Sequence, residues 1–406
     1  MACEFIKNRD IILFALKSWD MEIGGSSKKY ASVFAKNQNR VLFVNRALDR
    51  ASLFRNRHDQ KTKNRLEGRK DESKRLTKVD ENIWVLNPAS ILESINSIGW
   101  TWAYDQLSKL NAKRLAKEIN KAARELDFKS PILYIENDFL RGYYMEELIE
   151  NVDLTIYYIR DQLTTQEYYR KHGLRLEPRL IEKSDVVIAN SQQLADYAHK
   201  FNPNSFFVGQ GVDLELFLER DFPKPKELEN IPGPIIGYVG AILSTRLDLE
   251  IIRTIALKNP KWSVVMVGPE DNTFAKSDLH QIKNVYFTGR KELKELPGFI
   301  SHFDVCINPQ LKNEMTRGNY PLKVDEYLAL GKPVVATHTD AMEMFGDYVY
   351  LCENAEDYVV SIEKALSSVN DAALIIKRKS FARSHTWESC VEKLDDALMN
   401  LNQVHD

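Results

Sequence analysis

Short apolar runs of strand length alternate along this chain with loops and helix-length stretches of mixed polarity. Such alternation is typical of βαβ units, in which crossover helices join parallel strands. The pattern therefore predicts an α/β fold built from doubly wound parallel sheets. The predicted strands cover residues 10–17, 41–44, 131–135, 154–159, 185–189, 205–208, 234–240, 262–267, 284–288, 303–307, 333–337 and 348–351.

The chain has 406 residues, which is more than one hydrophobic core usually organises, so two domains are predicted. Residues 218–233 are rich in proline and charge and form the predicted linker. Residues 1–217 are then the N-terminal domain and residues 234–384 the C-terminal domain. Residues 385–406 are predicted to form a terminal helix.

Charge and cysteine content narrow the class of protein. The formal net charge of −2 implies no bulk binding of nucleic acid. The four cysteines are scattered without metal-ligand spacing, so we expect reduced thiols in a cytoplasmic protein. No apolar run approaches the length of a membrane span, and the run at 11–16 is too short for a signal sequence.

The segment 317–337 reads as a loop, a helix, a tight turn and a strand. Val324, Tyr327 and Leu328 fall at helical spacing and predict the buried face. Gly331 is suited to a left-handed cap at the helix end, and the proline that follows it prevents continuation. The segment therefore predicts a helix with a well-defined start and end.

Polar side chains surround the start of this helix, namely Asn319, Tyr320, Lys323 and Glu326. Free backbone N–H groups and the helix dipole attract anions there, and Lys323 adds a formal positive charge. A carboxylate such as Glu326 is suited to accept two ribose hydroxyls. These residues predict a nucleotide-diphosphate site, although an amphipathic helix with ordinary first-turn charges would show the same local pattern.

The motif at 321–337, Pro-x-Lys-x-x-Glu-Tyr-x-Ala-x-Gly-Lys-Pro-Val-Val-Ala-Thr, resembles the donor-binding segment of GT-B glycosyltransferases of the large family four. Within that family it is most similar to bacterial teichuronic-acid-type surface-polysaccharide glycosyltransferases. The resemblance implies two Rossmann-like domains facing a central cleft, a terminal helix that crosses back to the first domain, and Glu326 on the donor ribose. The commoner pattern has a second Glu where this chain has Gly318, so the resemblance leaves open whether transfer is retaining or inverting.

Further donor-site candidates follow predicted strands. Gly25, Gly240 and Gly268 would allow a close approach of the backbone to a ligand, although glycines in turns are often only turns. Ser244 and Arg246 lie in the loop after Gly240, and Arg246 has the fork geometry that suits a diphosphate.

Asp161 follows the predicted strand 154–159, at the sheet edge where α/β enzymes place their chemistry. It could act as a general base toward an acceptor hydroxyl, or it could cap a helix. No Asp-x-Asp motif occurs in the chain. Fixed positive groups would then stabilise the leaving diphosphate, so we expect neither a metal nor a cofactor.

Residues 50–78 form a basic insertion with few apolar residues, and we expect a mobile exposed loop there. A solvated insertion is one interpretation. The other is peripheral contact with an anionic membrane, which the nearby Trp100 and Trp102 would assist. The basic residues are Arg50, Arg55, Arg57, Lys61, Lys63, Arg65, Arg69, Lys70, Lys74, Arg75 and Lys78.

These observations predict a metal-independent, hexosyltransferase-type glycosyltransferase in the cytoplasm, with peripheral contact on the inner face of the plasma membrane as one interpretation of the basic insertion. It would move a sugar from a UDP- or GDP-sugar to a hydroxyl of a glycan or lipid-linked acceptor in cell-surface polysaccharide synthesis. Two alternatives stay open, a nucleotide-sugar 2-epimerase of the same fold and a non-catalytic nucleotide-sugar-binding protein.

Overall fold

The structure is a computed structural model that describes residues 5–20, 25–55, 59–217, 221–313, 316 and 320–405. It divides into two compact units. Unit 1 comprises Met1–Gly209 with Trp387–Asp406, and unit 2 comprises Gln210–Thr386. The division therefore precedes the predicted linker at 218–233. Leu228, within that predicted linker, is fully buried in the core of unit 2, because an apolar side chain in a polar segment still gains by burial.

Unit 1 is built on an eight-stranded sheet with the order β3-β4-β2-β1-β5-β6-β7-β8. All neighbouring strands are parallel except the edge strand β3, which runs antiparallel to β4. The strands are nearly continuous apolar runs because helices cover both faces of the sheet. They are β1 Asp10–Ala15, β2 Arg40–Val44, β3 Leu76–Asp80, β4 Ile83–Leu86, β5 Ile132–Glu136, β6 Leu154–Ile159, β7 Val186–Ala189 and β8 Ser205–Phe207.

Two hydrophobic layers cover the faces of this sheet. The helix Trp387–His405 contributes Val391 and Leu394 to one layer, where they join Tyr30 and Phe34 of the first helix. The C-terminal helix is thus part of unit 1. The helices of the unit are Ser26–Lys36, Arg50–Arg55, Gln60–Lys70, Thr101–Glu125, Phe139–Gly142, Met145–Leu148, Glu167–Lys183, Gln192–His199 and Trp387–His405.

The described part of the basic insertion, residues 50–55 and 59–78, is folded, which corrects the expectation of a mobile loop there. It contains two helices and the strand β3. Asp59 caps the helix Gln60–Lys70 by accepting a hydrogen bond from the Thr62 backbone N–H at 3.2 Å. Arg65 is largely buried and pairs with Asp20 at 2.8 Å. Capping, ion pairs and strand pairing supply order that a count of apolar residues does not reveal.

Unit 2 has a six-stranded, fully parallel sheet with the order β11-β10-β9-β12-β13-β14. Relative to the first strand of the unit, this is the 3-2-1-4-5-6 order of dinucleotide-binding folds. The strands are β9 Ile235–Val239, β10 Ser263–Val267, β11 Val285–Gly289, β12 Val305–Asn308, β13 Val334–Thr337 and β14 Tyr350–Cys352. The helices are Leu249–Lys258, Asn272–Ala275, Leu296–Ser301, Leu322–Ala329, Ala355–Ser367 and Ala372–Arg383.

Both sheets reverse their strand order beside their first strand. In unit 1 the reversal lies between β1 and β5, and in unit 2 it lies between β9 and β12. Open α/β sheets bind ligands at the carboxyl ends of the strands at such a point. The fold therefore offers one ligand position in each unit.

Candidate functional site

The helix Leu322–Ala329 follows β12 in unit 2 and is placed as the sequence predicted, within one residue of its expected start. Val324, Tyr327 and Leu328 are fully buried, which confirms the predicted inner face. Gly331 has a φ of +76° and donates its N–H to Leu328 at 2.8 Å. The next N–H, that of Lys332, bonds to the Tyr327 carbonyl at 3.0 Å, which completes a Schellman cap.

Lys323 lies at the end of β9, against Gly240. Its ammonium Nζ donates to the Tyr238 hydroxyl at 3.1 Å and sits 4.7 Å from the centre of the same ring. A Cβ at Gly240 would come 3.1 Å from Cε of Lys323, so a side chain there would crowd the lysine. Among the described residues, Lys323 has no carboxylate within ion-pair distance, so its charge is open to a ligand.

Gly268 and Gly240 form one tight arrangement at the ends of β10 and β9. A Cβ at Gly268 would lie 1.9 Å from the Gly240 carbonyl oxygen, which no real structure tolerates. The φ values of +138° at Gly240 and +149° at Gly268 also lie where glycine alone is comfortable. The structure thus brings together Gly240, Gly268 and Lys323, which the sequence could place only in separate segments.

Glu326 lies one turn along the helix from Lys323 and is half-buried. Burial raises the pKa of its carboxyl group to about 7, although the charge of Lys323 opposes this rise. No described residue makes a hydrogen bond to the Glu326 carboxylate in the structure. Both oxygens are therefore open to a ligand with hydroxyl groups.

Ser244 and Arg246, in the loop after β9, have different roles. Ser244 donates from its backbone N–H and from its hydroxyl to the same oxygen of Asp271, each at 2.7 Å. Its side chain therefore stabilises the loop, and its contact with the donor stays a prediction. Arg246 is exposed, and within the described ranges its guanidinium has no hydrogen-bond or ion-pair partner.

Tyr320 contacts the buried side of the helix Leu322–Ala329. Its hydroxyl donates to Oδ2 of Asp325 at 2.6 Å, and Nδ1 of His385 lies 2.7 Å from the other carboxylate oxygen. Asp325 is completely buried, and burial raises the pKa of its carboxyl group although the hydrogen bond from His385 opposes this. Tyr320 is thus buried and bonded to Asp325, and its contact with the donor stays a prediction. Asn319 lies outside the described residues.

Sequence reasoning missed Asp325 and His385. They are 60 positions apart, and neither belongs to a motif. The only local signal is a carboxylate on the buried face of an amphipathic helix, which needs a partner. The His385 backbone carbonyl also accepts the N–H of Val212 at 2.9 Å, so the two ends of unit 2 meet at this network.

The predicted catalytic residue Asp161 belongs to a polar network at the carboxyl ends of β1, β5 and β6. Its carboxylate accepts a hydrogen bond from Nε of Arg160 at 2.9 Å. Arg160 also donates to the Ser26 hydroxyl at 2.9 Å, and that hydroxyl donates to Glu136, which is completely buried. The side chain of Asp161 accepts no hydrogen bond from the N-terminus of a described helix, so the alternative role as a helix cap is not seen in the structure.

Gly25 and Lys17 complete this network. Gly25 precedes the helix Ser26–Lys36, and a Cβ there would lie 3.3 Å from Cδ of Lys17. Burial lowers the pKa of the Lys17 ammonium, and the charge of Arg160 lowers it further, whereas Asp161 and Glu136 raise it. Gly25 thus belongs to the ligand position of unit 1, and its contact with the donor stays a prediction.

Two further surveys cover the described residues. No group of three or more His, Cys, Asp or Glu side chains is arranged there to hold a metal ion. No described helix has both the length and the apolar composition needed to cross a bilayer.

Comparison with known proteins places this geometry in a family. Residues 233–368 match the family model described as Glycosyl transferases group 1. HepE of Anabaena, solved in complex with UDP, superposes with a TM-score of 0.64 at 17% identity, covering 97% of this chain and 100% of that one. Unit 2 carries a group 1 glycosyltransferase domain, and the chain has the GT-B fold. The GT-B fold predicted from the motif at 321–337 is therefore confirmed.

Two curated relatives are similar in sequence to this GT-B chain. TuaH of Bacillus subtilis (strain 168), assigned to teichuronic acid biosynthesis as a glycosyltransferase, is 30% identical over 236 residues, 54% of this chain and 58% of that protein. A phosphatidyl-myo-inositol mannosyltransferase of Propionibacterium freudenreichii subsp. shermanii is 23% identical over 212 residues, 48% of this chain and 51% of that protein. The chain thus spans little more than half the length of the curated relatives it matches.

Proposed function

We propose that this GT-B protein is a glycosyltransferase that moves a sugar from a nucleotide diphosphate to a hydroxyl of a glycan or lipid-linked acceptor in surface-polysaccharide synthesis. One observation carries the proposal. Lys323, Glu326 and the glycine pair Gly240–Gly268 meet at the ligand position of a group 1 glycosyltransferase domain, and the charged groups are not satisfied by described residues.

The donor diphosphate would lie over the two glycines. There the ammonium group of Lys323 and the N-terminal N–H groups of the helix Leu322–Ala329 offer positive charge to phosphate oxygens. The exposed guanidinium of Arg246 could close onto the same group with two parallel hydrogen bonds. The carboxylate of Glu326 would accept the two hydroxyls of the ribose. A UDP- or GDP-sugar fits these requirements, and UDP is the ligand in the Anabaena structure.

Charge stabilisation of the departing diphosphate is the main chemical task. Positive groups that are already in place lower this barrier without reorganising in the transition state. Lys323 and Arg246 would supply that charge. We therefore propose transfer that does not require a divalent metal.

The acceptor hydroxyl must lose a proton as the sugar is transferred. We propose Asp161 as the base, since it lies at the ligand position of unit 1 and one of its oxygens is held by Arg160 at 2.9 Å. That contact fixes the carboxylate, and its second oxygen would face the hydroxyl. Glu136 is completely buried and would position Arg160 rather than touch the acceptor.

A surface of unit 1 supports peripheral membrane contact on the cytoplasmic face. Phe54, Trp100 and Trp102 are exposed by 79%, 81% and 76%, respectively, and Leu107 and Leu110 lie near Phe54 in a groove of about 570 Å³. Exposed tryptophans suit the interface between water and hydrocarbon. The exposed apolar surface thus fits the border of a bilayer.

The helix Thr101–Glu125, which contains Trp102, Leu107 and Leu110, also carries basic residues at spacings of three and four. They line a second groove of about 1140 Å³ together with Arg50, Arg69 and Arg75 of the insertion. Several of these basic side chains already form ion pairs with Glu72, Glu93 or Glu150. The excess positive charge of the groove is therefore smaller than the number of basic residues suggests. The basic residues of this helix that line the second groove are Arg114, Lys117, Lys121 and Arg124.

Calorimetric titration of the full chain with UDP, GDP, ADP and dTDP, followed by incubation of the preferred sugar nucleotide with and without acceptor, tests the proposal. We expect one nucleotide diphosphate to bind and its sugar to be transferred only when acceptor is present. Epimerisation of the donor without acceptor would establish the epimerase alternative. Binding of a nucleotide sugar with neither transfer nor epimerisation would establish the non-catalytic alternative, and failure of all four nucleotides to bind would contradict the proposed donor site.

Sedimentation with vesicles tests the membrane contact separately. We expect binding to anionic vesicles that weakens as salt rises, because the Debye length is only about 8 Å at physiological ionic strength. The paired substitution W100S/W102S and the triple substitution K117Q/K121Q/R124Q should each reduce binding. The variant Arg179→Gln, at an exposed arginine outside both grooves, is the control. Equal sedimentation of all variants would leave these residues as an ordinary solvated surface.

A further inference from the structure

A cavity of about 1270 Å³ opens within unit 1 at the carboxyl ends of its central strands. Leu16 follows β1, Ala47 lies beyond β2, and Asp138 lies beyond β5, and all three line the cavity. Its volume exceeds the roughly 300–1,000 Å³ typical of small-molecule sites. The ligand position of unit 1 therefore has room for a molecule larger than a single sugar.

The two least exposed arginines of the cavity wall are Arg46 and Arg141. Arg141 pairs with Asp138, which is almost completely buried, and both line the wall. Arg46 is half-buried in the same wall, and among the described residues its guanidinium has no hydrogen-bond or ion-pair partner. Burial lowers the pKa of Arg141, Asp138 raises it, and the charge of Arg46 lowers it again. An anion placed between the two guanidinium groups would relieve their repulsion.

Two further carboxylates of the wall, those of Asp49 and Glu93, are bonded to other groups. Asp49 feels the charge of Arg46, yet its carboxylate accepts hydrogen bonds from the Ser52 backbone at 2.9 Å and the Ser94 hydroxyl at 2.7 Å. Glu93 is paired with two arginines that do not line the cavity. The donors of Arg46 therefore stay open to a ligand.

Much of the remaining wall is apolar and leads outward. Leu92, Leu115 and Met145 belong both to the hydrophobic core and to the cavity lining. The cavity also shares Ala51 and Ile95 with the exposed apolar groove described above. A ligand can thus place an anionic group beside Arg46 and a hydrocarbon chain against the apolar part of the wall, toward the groove that shares Ala51 and Ile95 with it.

We propose that this cavity binds the phosphate-bearing head of an acceptor lipid, with Arg46 contacting the phosphate and the chain leaving along the groove. The proposal rests on the proposed function, because it makes unit 1 the acceptor-binding half of a transferase. It narrows the acceptor from any glycan or lipid-linked hydroxyl to an amphiphile with a phosphate or diphosphate. It also makes Arg46 a residue that determines acceptor specificity.

Binding of soluble probes to the full chain tests this inference without any transfer reaction. Farnesyl phosphate, farnesol and inorganic phosphate are titrated into wild type, Arg46→Gln, Arg46→Lys and Arg179→Gln. We expect wild type to bind farnesyl phosphate about tenfold or more tighter than farnesol, since charge-assisted hydrogen bonds discriminate at that scale. Arg46→Gln should bring this ratio close to one while the affinity for farnesol stays the same. Arg46→Lys should retain part of the ratio, and Arg179→Gln should retain all of it.

Three results would overturn the inference. They are equal affinity of wild type for farnesyl phosphate and farnesol, an equal loss of both ligands in Arg46→Gln, and inorganic phosphate binding as tightly as farnesyl phosphate. The last would show a free-phosphate site that ignores the lipid. Nucleotide binding measured in the same samples separates this inference from the proposed function. A wild type that binds no nucleotide diphosphate contradicts the transferase, whereas the three results above contradict only the lipid site.

Discussion

In both units the strand order reverses beside the first strand, but the polar groups at the strand ends are bonded differently. In unit 1, Ser26, Glu136, Arg160 and Asp161 bond mainly to one another. In unit 2, Lys323 and Glu326 stand beside paired glycines, with no ionic partner or hydrogen bond from described residues that would neutralise them. A site whose charges are already paired keeps its shape without ligand, whereas a site with open charges gains most when ligand arrives.

This difference suggests a division of labour. Open cations and a carboxyl with a raised pKa suit unit 2 to a nucleotide diphosphate, which brings both anionic oxygens and hydroxyls. The paired network of unit 1 suits a rigid base that must be in place before an uncharged hydroxyl arrives. Under the proposal above, the cavity at the strand ends of unit 1 would hold the rest of the acceptor.

The most direct test of the difference between the two units is to remove one positively charged side chain from each. We expect Lys323→Gln to lower kcat/KM for the donor roughly 10²–10³-fold, the range seen when a preorganised charge-stabilising group is lost. Arg160→Gln in unit 1 should leave nucleotide affinity unchanged. Calorimetry and steady-state kinetics measure both. If Arg160→Gln weakened the nucleotide as much as Lys323→Gln, the two strand ends would not be functionally distinct.

Stability of unit 2 should depend on its glycine pair. In Gly268→Ala the new Cβ would meet the Gly240 carbonyl at 1.9 Å and the residue would keep a φ of +149°, so we expect a loss of roughly 2–4 kcal/mol in unfolding free energy. Gly289→Ala is the matched control, since φ is +70° there but no atom lies within 4 Å. It should cost only the backbone term, about 1–2 kcal/mol. Denaturant titration of both variants gives the comparison, and equal losses would remove the special role of the pair.

Glu326→Gln keeps the shape of the side chain but replaces an acceptor oxygen with a donor. We expect nucleotide affinity to fall by about 1.5–3 kcal/mol, the typical contribution of a charge-assisted hydrogen bond, with the fold intact. Unchanged affinity in calorimetry would make Glu326 an ordinary helix residue.

The same residue predicts a pH dependence with a definite sign. Because the pKa of Glu326 is about 7 in the folded protein, its carboxylate forms as pH rises from 6 to 8, and donor affinity should rise with it. The folding stability of the ligand-free protein has the opposite pH dependence. Its protonated carboxyl stabilises it at low pH, and this contribution is lost as pH rises from the ordinary Glu range through about 7. Glu326→Gln should flatten both profiles, and a profile unchanged by the substitution would assign the dependence to another group.

The smallest expected effect concerns metal. Because Lys323 and Arg246 would supply the charge that a divalent ion supplies elsewhere, EDTA should leave transfer activity largely intact. The assay is run with and without added magnesium or manganese. Loss of activity in EDTA that either ion restores would show that the open cations of unit 2 are insufficient.

Local sequence patterns determined the features of unit 2 that depend on neighbours in the chain. The buried face of Val324, Tyr327 and Leu328 follows from helical spacing, and the cap at Gly331 follows from the freedom of glycine at positive φ. The alternation of strands and helices also predicted the doubly wound sheets. In each case the physical cause acts over a few residues, so the sequence alone carries it.

Tertiary structure decided everything that joins distant segments. The contact of Asp325 with His385, the clash that makes Gly268 depend on Gly240, and the folding of the basic insertion are examples. These arise because packing brings together groups whose separation along the chain carries no pattern. The sequence showed which residues are charged or small, and only the fold decided that Ser244 and Tyr320 are bonded within the protein while Lys323 stays open to a ligand.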